Sequence, residues 1–243
     1  MLLPAATVPY TEGLAAPYYL DRASILAARS LRLPNTDTSS TVLDACAAPG
    51  GKTLVIASLL NEHVTILANE LSDERRRRLA AVLDKHLPEK LRNRVQVTGF
   101  DAAAAAGRQS ERCRFAAVLL DAPCSSERHV LQNKTALEKW TPSRPRFLAS
   151  RQWSLLSAAF LLLKNGGSLV YATCSINMEE NDRVAGRLLQ KYQKNKPKNG
   201  EICILDKPDF SEGEETEYGR IILPDMAEGA GPLYVARFGK TAI

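Results

Sequence analysis

The sequence predicts an α/β protein: one mostly parallel, seven-stranded sheet with helices on both faces. Three observations carry this reading. Short apolar runs ending on a charged or polar residue alternate with longer stretches of helical periodicity. The chain has 243 residues, 45% of them apolar, which is enough for one large core. No internal repeat interrupts the alternation.

Residues 1–20 read as an irregular N-terminal segment, because Pro4, Pro9, Gly13 and Pro17 break any periodicity. Residues 21–243 then form a single catalytic domain. Asp21 caps a helix whose apolar side includes Ile25, Leu26 and Leu31, ending near Pro34 ahead of a polar loop. Residues 41–44 form a short buried strand, followed by a Gly-rich turn and a helix over 52–61. A second strand spans 63–68, and Ser72 caps a helix running to about residue 86. Residues 94–98 form the third strand, 101–111 a weak helix or loop, and 115–120 the fourth strand, stopping at Asp121-Ala122-Pro123. A helix over 146–163 precedes Gly166-Gly167 and the fifth strand, 168–173. The next helix starts near Met178 and enters the Lys-rich stretch 191–198. Strands over 201–205 and 233–238 complete the sheet, and the acidic patch 212–217 reads as a mobile surface loop.

Composition excludes several classes. Charged residues at 24% rule out a disordered chain, and the net charge of +5 suits a polyanionic partner. No apolar run approaches the roughly 18 residues of a membrane span, and residues 1–10 lack the pattern of a signal peptide. The five cysteines, Cys46, Cys113, Cys124, Cys174 and Cys203, include no CxxC pair. A disulfide framework and a zinc site are not expected, and free thiols imply a reducing compartment. The cytoplasm is the expected location, with the mitochondrion as alternative.

In a parallel sheet, ligands bind beyond the carboxyl ends of the strands. Asp44, Glu70, Asp101, Asp121 and Cys174 all fall at such ends. After the first strand comes the turn Cys46, Ala47, Ala48, Pro49, Gly50, Gly51 and Lys52, whose small residues let backbone approach a ligand. It fits neither a phosphate loop, which needs glycine where Cys46 stands, nor the GxGxxG pattern. Glu70 sits where a ribose-binding acid belongs, while Asp101 and Asp121 are placed to accept from an adenine amine or an α-ammonium. A nucleoside with a charged amino-acid tail, S-adenosylmethionine, fits this set.

The turn 46–53, Asn69-Glu70-Leu71-Ser72 with Arg75, Asp121-Ala122-Pro123-Cys124-Ser125 and Tyr171-Ala172-Thr173-Cys174-Ser175 together resemble the Nop/Sun family of RNA cytosine-C5 methyltransferases. The likeness runs from about residue 18 to 240. It implies a Rossmann-like class I methyltransferase fold, S-adenosylmethionine as cofactor and 5-methylcytosine as product. Ser126-Glu127-Arg128-His129 and Gly231-Pro232-Leu233-Tyr234 look most like the branch containing the mitochondrial ribosomal-RNA enzyme. Arg75 matches a family position that contacts the cofactor. Ala172 and Ser126 replace a more usual serine and glycine.

Carbon 5 of cytosine is a poor nucleophile, and a thiolate added at carbon 6 converts the ring into an enamine-like one. The resemblance implies that Cys174 is this nucleophile and that Cys124 assists loss of the carbon-5 proton and product release. Asp121 is expected at the ring nitrogen, stabilising charge that builds there. Cys46, Cys113 and Cys203 read as packing residues.

Arg75 to Arg78 form a cationic run on one helix that reads as a solvated face. Lys134, Lys139, Arg144, Arg146 and Arg151 surround Trp140 and Trp153, a mixture able to hold phosphates and stack bases, although Trp153 also has core spacing with Leu156 and Phe160. The expected substrate is RNA, ribosomal first and transfer RNA as alternative. Because the catalytic domain takes up nearly all residues, either a preformed single-stranded site or a helper RNA-binding protein is expected. No metal or membrane partner is expected. Two rivals remain: a DNA cytosine methyltransferase, in which Cys124 would be the nucleophile, and a non-catalytic RNA-binding assembly factor.

Overall fold

The computed structural model describes residues 6–35, 38–107, 114–193 and 200–242. Cys113, the end of the weak helix and most of the Lys-rich stretch lie outside the described residues.

Strands β1 (Thr7–Tyr10) and β2 (Tyr18–Asp21) pair antiparallel, so the segment expected to be irregular contains a hairpin. Four-residue strands carrying a proline give too little alternation to be seen in sequence. Tyr10 docks the hairpin through a 2.7 Å hydrogen bond between its hydroxyl and Ser58 Oγ. Asp21 caps α1 (Arg22–Arg29) by accepting from Ala23 N at 2.8 Å. The buried face of α1 is Ala23, Ala27 and Ala28. Ile25 and Leu26 are only half-buried, and the helix stops at Ser30 rather than near Pro34.

The βα units follow: β3 (Ser40–Asp44), α2 (Gly51–Ser58), β4 (Val64–Asn69), α3 (Asp73–His86), α4 (Glu89–Arg92), β5 (Val95–Thr98), α5 (Ala102–Ala105) and β6 (Phe115–Asp121). Three helices, α6 (Glu127–Gln132), α7 (Lys134–Glu138) and α8 (Arg144–Leu162), lead to β7 (Leu163–Thr173) and α9 (Asp182–Lys191). Helix α9 begins a turn later than Met178, because Asn177 and Ser175 side chains hold residues 175–179 in turns. The chain closes with β8 (Glu201–Leu205), β9 (Glu214–Glu215), β10 (Arg220–Ile222) and β11 (Leu233–Ala242).

The sheet has nine strands among the described residues, not seven, in the order β5-β4-β3-β6-β7-β11-β10-β9 with β8 also on β11. Strands β5 to β7 are parallel, and β11 joins antiparallel to β7. The extra strands β9 and β10 include part of the acidic patch expected to be a loop. Glu215 is held there by Arg220 at 3.0 Å and Lys207 at 3.3 Å. Gly166-Gly167 does not precede β7 but lies within it, at a register shift opposite Ala116. A Cβ on Gly167 would come within 2.7 Å of the Ala116 carbonyl oxygen, so a side chain there would push the strands apart.

Successive residues along the inner strands point to opposite faces and separate the core into two layers. Val42, Ile66, Leu119 and Val170 pack toward α1, α2 and α3 with Leu54, Ile56 and Leu79. Leu43, Leu67, Val118, Leu120 and Tyr171 pack toward α8 and α9 with Leu156, Phe160 and Leu188. Each fully buried side chain of this size contributes about 1.5–3 kcal/mol. Together they fix the strand ends that carry the site.

Candidate active site

Strand order reverses between β3 and β6, and the crevice at their carboxyl ends is built from four loops. After β3, Gly50 takes φ +119°, a conformation reserved for glycine, and starts α2. A Cβ there would also lie 3.1 Å from Leu79 and Val82 on α3, so the turn sits tightly against that helix. Asn69 ties three strand ends together: its Nδ2 donates to the carbonyls of Ala45 and Phe100, and its Oδ1 accepts from Phe100 N. Glu70, nearly buried, accepts from Ser72 N at 3.0 Å and pairs with Arg75 Nη1 at 3.1 Å. Arg75 Nη2 donates to the Ala48 carbonyl at 2.8 Å, linking α3 to the turn.

Two cavities adjoin this turn. One, of about 270 Å³, is lined by Tyr18, Tyr19, Asp44, residues 46–49, Gly51, Lys52 and Asp121. The other, of about 360 Å³, holds Cys174, Ser126, His129 and Gln132. Both share Asp21, Ser24, Lys52 and Asp121. The structure therefore brings the turn, Asp121 and Cys174 together. It leaves Gly50, Glu70, Arg75, Asp101 and Cys124 off both cavity walls. Asp101 is an exposed cap of α5, accepting from Ala103 N at 3.0 Å, and lines a separate cavity of about 290 Å³ with Phe100 and Leu162.

Lys52 Nζ lies 2.7 Å from Asp121 Oδ2 and 3.1 Å from Ser24 Oγ. Burial disfavours the ammonium, but Asp121 more than offsets this and raises the Lys52 pKa above its ordinary value. Burial pushes the Asp44 carboxyl up to about 7, against the hydrogen bond donated by Thr53 Oγ1 at 2.7 Å. Burial likewise pushes the Cys46 thiol far up and the Cys203 thiol up to about 12, so both stay protonated as packing residues.

Cys124 follows β6 and Cys174 follows β7, adjacent parallel strands with Asp121 opposite Ala172. That register places the sulfurs 2.8 Å apart. The Cys124 thiol donates to Cys174, which lowers the Cys174 pKa, and the Ser126 hydroxyl at 3.2 Å and Lys52 act in the same direction against burial and Asp121. The Cys124 pKa is driven far up, first by the Cys174 contact and then by burial. Within this pair, Cys174 is the thiol that gives up its proton more readily, and Cys124 the one that keeps it. Ser126 has φ +54°, the left-handed region where glycine is free of strain.

A buried carboxylate that no motif announces holds both loops. Glu180 accepts from Ser125 N at 2.9 Å, Gln152 Nε2 at 2.7 Å, Ser175 Oγ at 3.0 Å and the Ser125 hydroxyl. Glu127 accepts from the same two serine hydroxyls and from Ile176 N. Arg128, which donates to the carbonyls of Gly229 and Gly231, is a further pocket residue that motif reasoning left out. Trp153 is covered by Arg187, 4.3 Å from its ring, and Lys191 at 5.1 Å. Among the described residues, no group of three or more His, Cys, Asp and Glu side chains can hold a metal ion, and no helix is long and apolar enough to cross a membrane.

A doubly wound sheet whose crevice presents a small-residue turn, in-phase carboxylates and a coupled thiol pair defines a Rossmann-like methyltransferase-fold protein. The family model for 16S rRNA methyltransferase RsmB/F matches residues 30–239. The chain belongs to that family. It is 35% identical over 233 residues to the ribosomal RNA small subunit methyltransferase F of Cronobacter sakazakii and 38% identical over 233 residues to that of Erwinia tasmaniensis. Each alignment covers 95% of this chain and 46% of the relative, so the chain spans about half the length of the curated relatives it matches. Among solved structures, NSun6 from Pyrococcus horikoshii with SFG, an S-adenosylmethionine analogue, superimposes with a TM-score of 0.73 at 25% identity, covering 94% of this chain and 54% of that one. A methyltransferase homologue from the same organism gives 0.69 at 25% identity, covering 94% and 69%.

Proposed function

We propose that this chain is an S-adenosylmethionine-dependent RNA methyltransferase that forms 5-methylcytosine in ribosomal RNA through a covalent cysteine–cytosine adduct. The observation that carries the reading is the thiol pair, with its sulfurs 2.8 Å apart and Cys174 on the wall of a cavity that shares Lys52 and Asp121 with the cavity beside the turn.

The donor set suits the cofactor. Asp21, Asp44 and Asp121 outnumber the single cation Lys52 on this cavity wall, whose other residues are small ones, Leu20 and two tyrosines; that balance favours a cationic amino-acid tail and disfavours a bare phosphate. Cys46, Ala47, Ala48, Pro49, Gly51, Lys52 and Asp121 would hold it there. Glu70 and Arg75 shape the turn from behind, and Asp101 lies beyond it. S-adenosylmethionine, when bound, supplies an electrophilic methyl group.

The Cys174 sulfur forms a bond to carbon 6 of the cytosine, and the electron pair of the 5,6 double bond moves toward the ring nitrogen. The Lys52–Asp121 pair stabilises the charge that accumulates there, and carbon 5 becomes the nucleophilic position. Once the Cys174 sulfur is bonded to carbon, it no longer accepts from Cys124. The largest influence holding the Cys124 proton in place is then gone. Cys124 can then lose its thiol proton to solvent and, once carbon 5 carries the methyl group beside its hydrogen, take that hydrogen as a proton; the C–H electron pair re-forms the 5,6 double bond and Cys174 leaves as a thiolate.

Thiol replacement tests the reading. With methyl-labelled S-adenosylmethionine and 16S ribosomal RNA, Cys174→Ala is expected to abolish transfer. Cys124→Ala is expected to accumulate a protein–RNA adduct that survives denaturing electrophoresis. Wild-type transfer by Cys174→Ala together with a dead Cys124→Ala would reverse the two roles. Absence of cofactor binding in calorimetry would favour the assembly factor.

A further inference from the structure

The helices between the two thiol loops carry a surface that the chemistry above does not use. Helix α6 lines the catalytic cavity with Arg128, His129 and Gln132, and Asn133 passes the chain directly into α7, capping it at Ala136 N. From residue 134 to 151 the chain has Lys134, Lys139, Arg144, Arg146 and Arg151 against the single acid Glu138. All five cations are exposed, and among the described residues none of them pairs with a carboxylate. Large apolar groups are exposed between them: Phe147 is 73% and Trp140 38% accessible, next to Leu131 and Leu137. Capping and the buried Pro145 account for the helices but not for bare rings among unpaired cations.

We propose that this face, joined to the catalytic cavity through helix α6, binds the single-stranded RNA flanking the target nucleotide. Trp140 and Phe147 stack unpaired bases, while the five cations hold the phosphates between them. The inference rests on the RNA methyltransferase reading of the neighbouring cavity. Charge selects a polyanion, and exposed ring faces select unpaired bases over a duplex, whose bases are already stacked. Trp153 takes no part, because Arg187 and Lys191 cover its ring.

The test uses the full chain and a fluorescein-labelled, mixed-sequence 20-nucleotide RNA, single-stranded or annealed to its complement, with anisotropy as readout. Trp140→Ala/Phe147→Ala is expected to weaken single-strand binding by about tenfold or more and leave duplex binding within twofold. Lys134→Ala/Lys139→Ala/Arg146→Ala is expected to flatten the salt dependence of binding. Single-strand binding unchanged by the aromatic pair, or an equal loss for duplex, overturns the platform, as would a wild-type chain that binds no RNA. A chain that binds through this face but transfers no methyl group would refute the methylation reading and leave the platform standing. A chain that methylates RNA with the same KM in the aromatic variant would do the opposite.

Discussion

At the scale of single residues, Ser126 shows two demands meeting at one position. Its backbone needs the left-handed conformation at the start of α6, which costs a residue with a Cβ about 1–2 kcal/mol. Its hydroxyl repays that strain chemically by supporting the charged form of Cys174. Ser126→Gly is therefore expected to stabilise the fold by roughly 1 kcal/mol in denaturant melts. In the same variant, the pH at which iodoacetamide labels Cys174 is expected to move upward, since a donor to the thiolate is lost. Asp44 makes a second prediction. In the folded state its carboxyl holds a proton up to about 7, against 3.8 as an unperturbed group. The native state thus binds more protons between those values, and stability contributed by Asp44 declines as pH rises from about 4 to 7 and levels off above. Asp44→Asn is expected to lack that decline when melting temperatures at pH 5 and pH 8 are compared.

At the scale of elements, loops that look independent in sequence are fastened by one carboxylate. Glu180 is fully buried and accepts from the loops after both β6 and β7. Glu180→Ala would leave the Ser125 N–H and the Gln152 amide without their acceptor, at about 1–3 kcal/mol each. The expected result is a lower melting temperature and slower Cys174 labelling, with Glu180→Gln intermediate in both. This clamp was not legible in the sequence, because its partners lie far apart in the chain and meet only through the β6–β7 register. Strands β3, β4, β6 and the second half of β7 were legible as nearly continuous apolar runs, as burial on both faces requires, and the edge strand β5 by the alternation Val95-Gln96-Val97-Thr98. Strands β1, β2, β9 and β10 were not, since runs of two to four residues, with Pro9 inside β1, carry no usable period. The thiol pair stood in the sequence as two motifs, while its shared proton is a property of the assembled sheet.

At the scale of the whole molecule, the folded chain presents a small-residue turn to its proposed cofactor from a rigid parallel sheet. Ligand binding to such a preformed crevice adds its free energy to folding. At a hundredfold excess over Kd, S-adenosylmethionine is expected to contribute about 2.7 kcal/mol, raising the melting temperature of a chain this size by roughly 5–10 °C. Cys174→Ala should retain that rise in differential scanning fluorimetry, and Asp121→Ala should lose most of it.

The ion pair between Lys52 and Asp121 stands where the two cavities meet, and each cavity has its own lining beyond it. Neither reactant has to pass through the other's compartment to arrive. For the proposed reaction, random rather than compulsory loading is therefore expected, and double-reciprocal plots with either reactant varied should intersect left of the axis. Inhibition by the demethylated cofactor should be competitive against the donor and non-competitive against the nucleic acid.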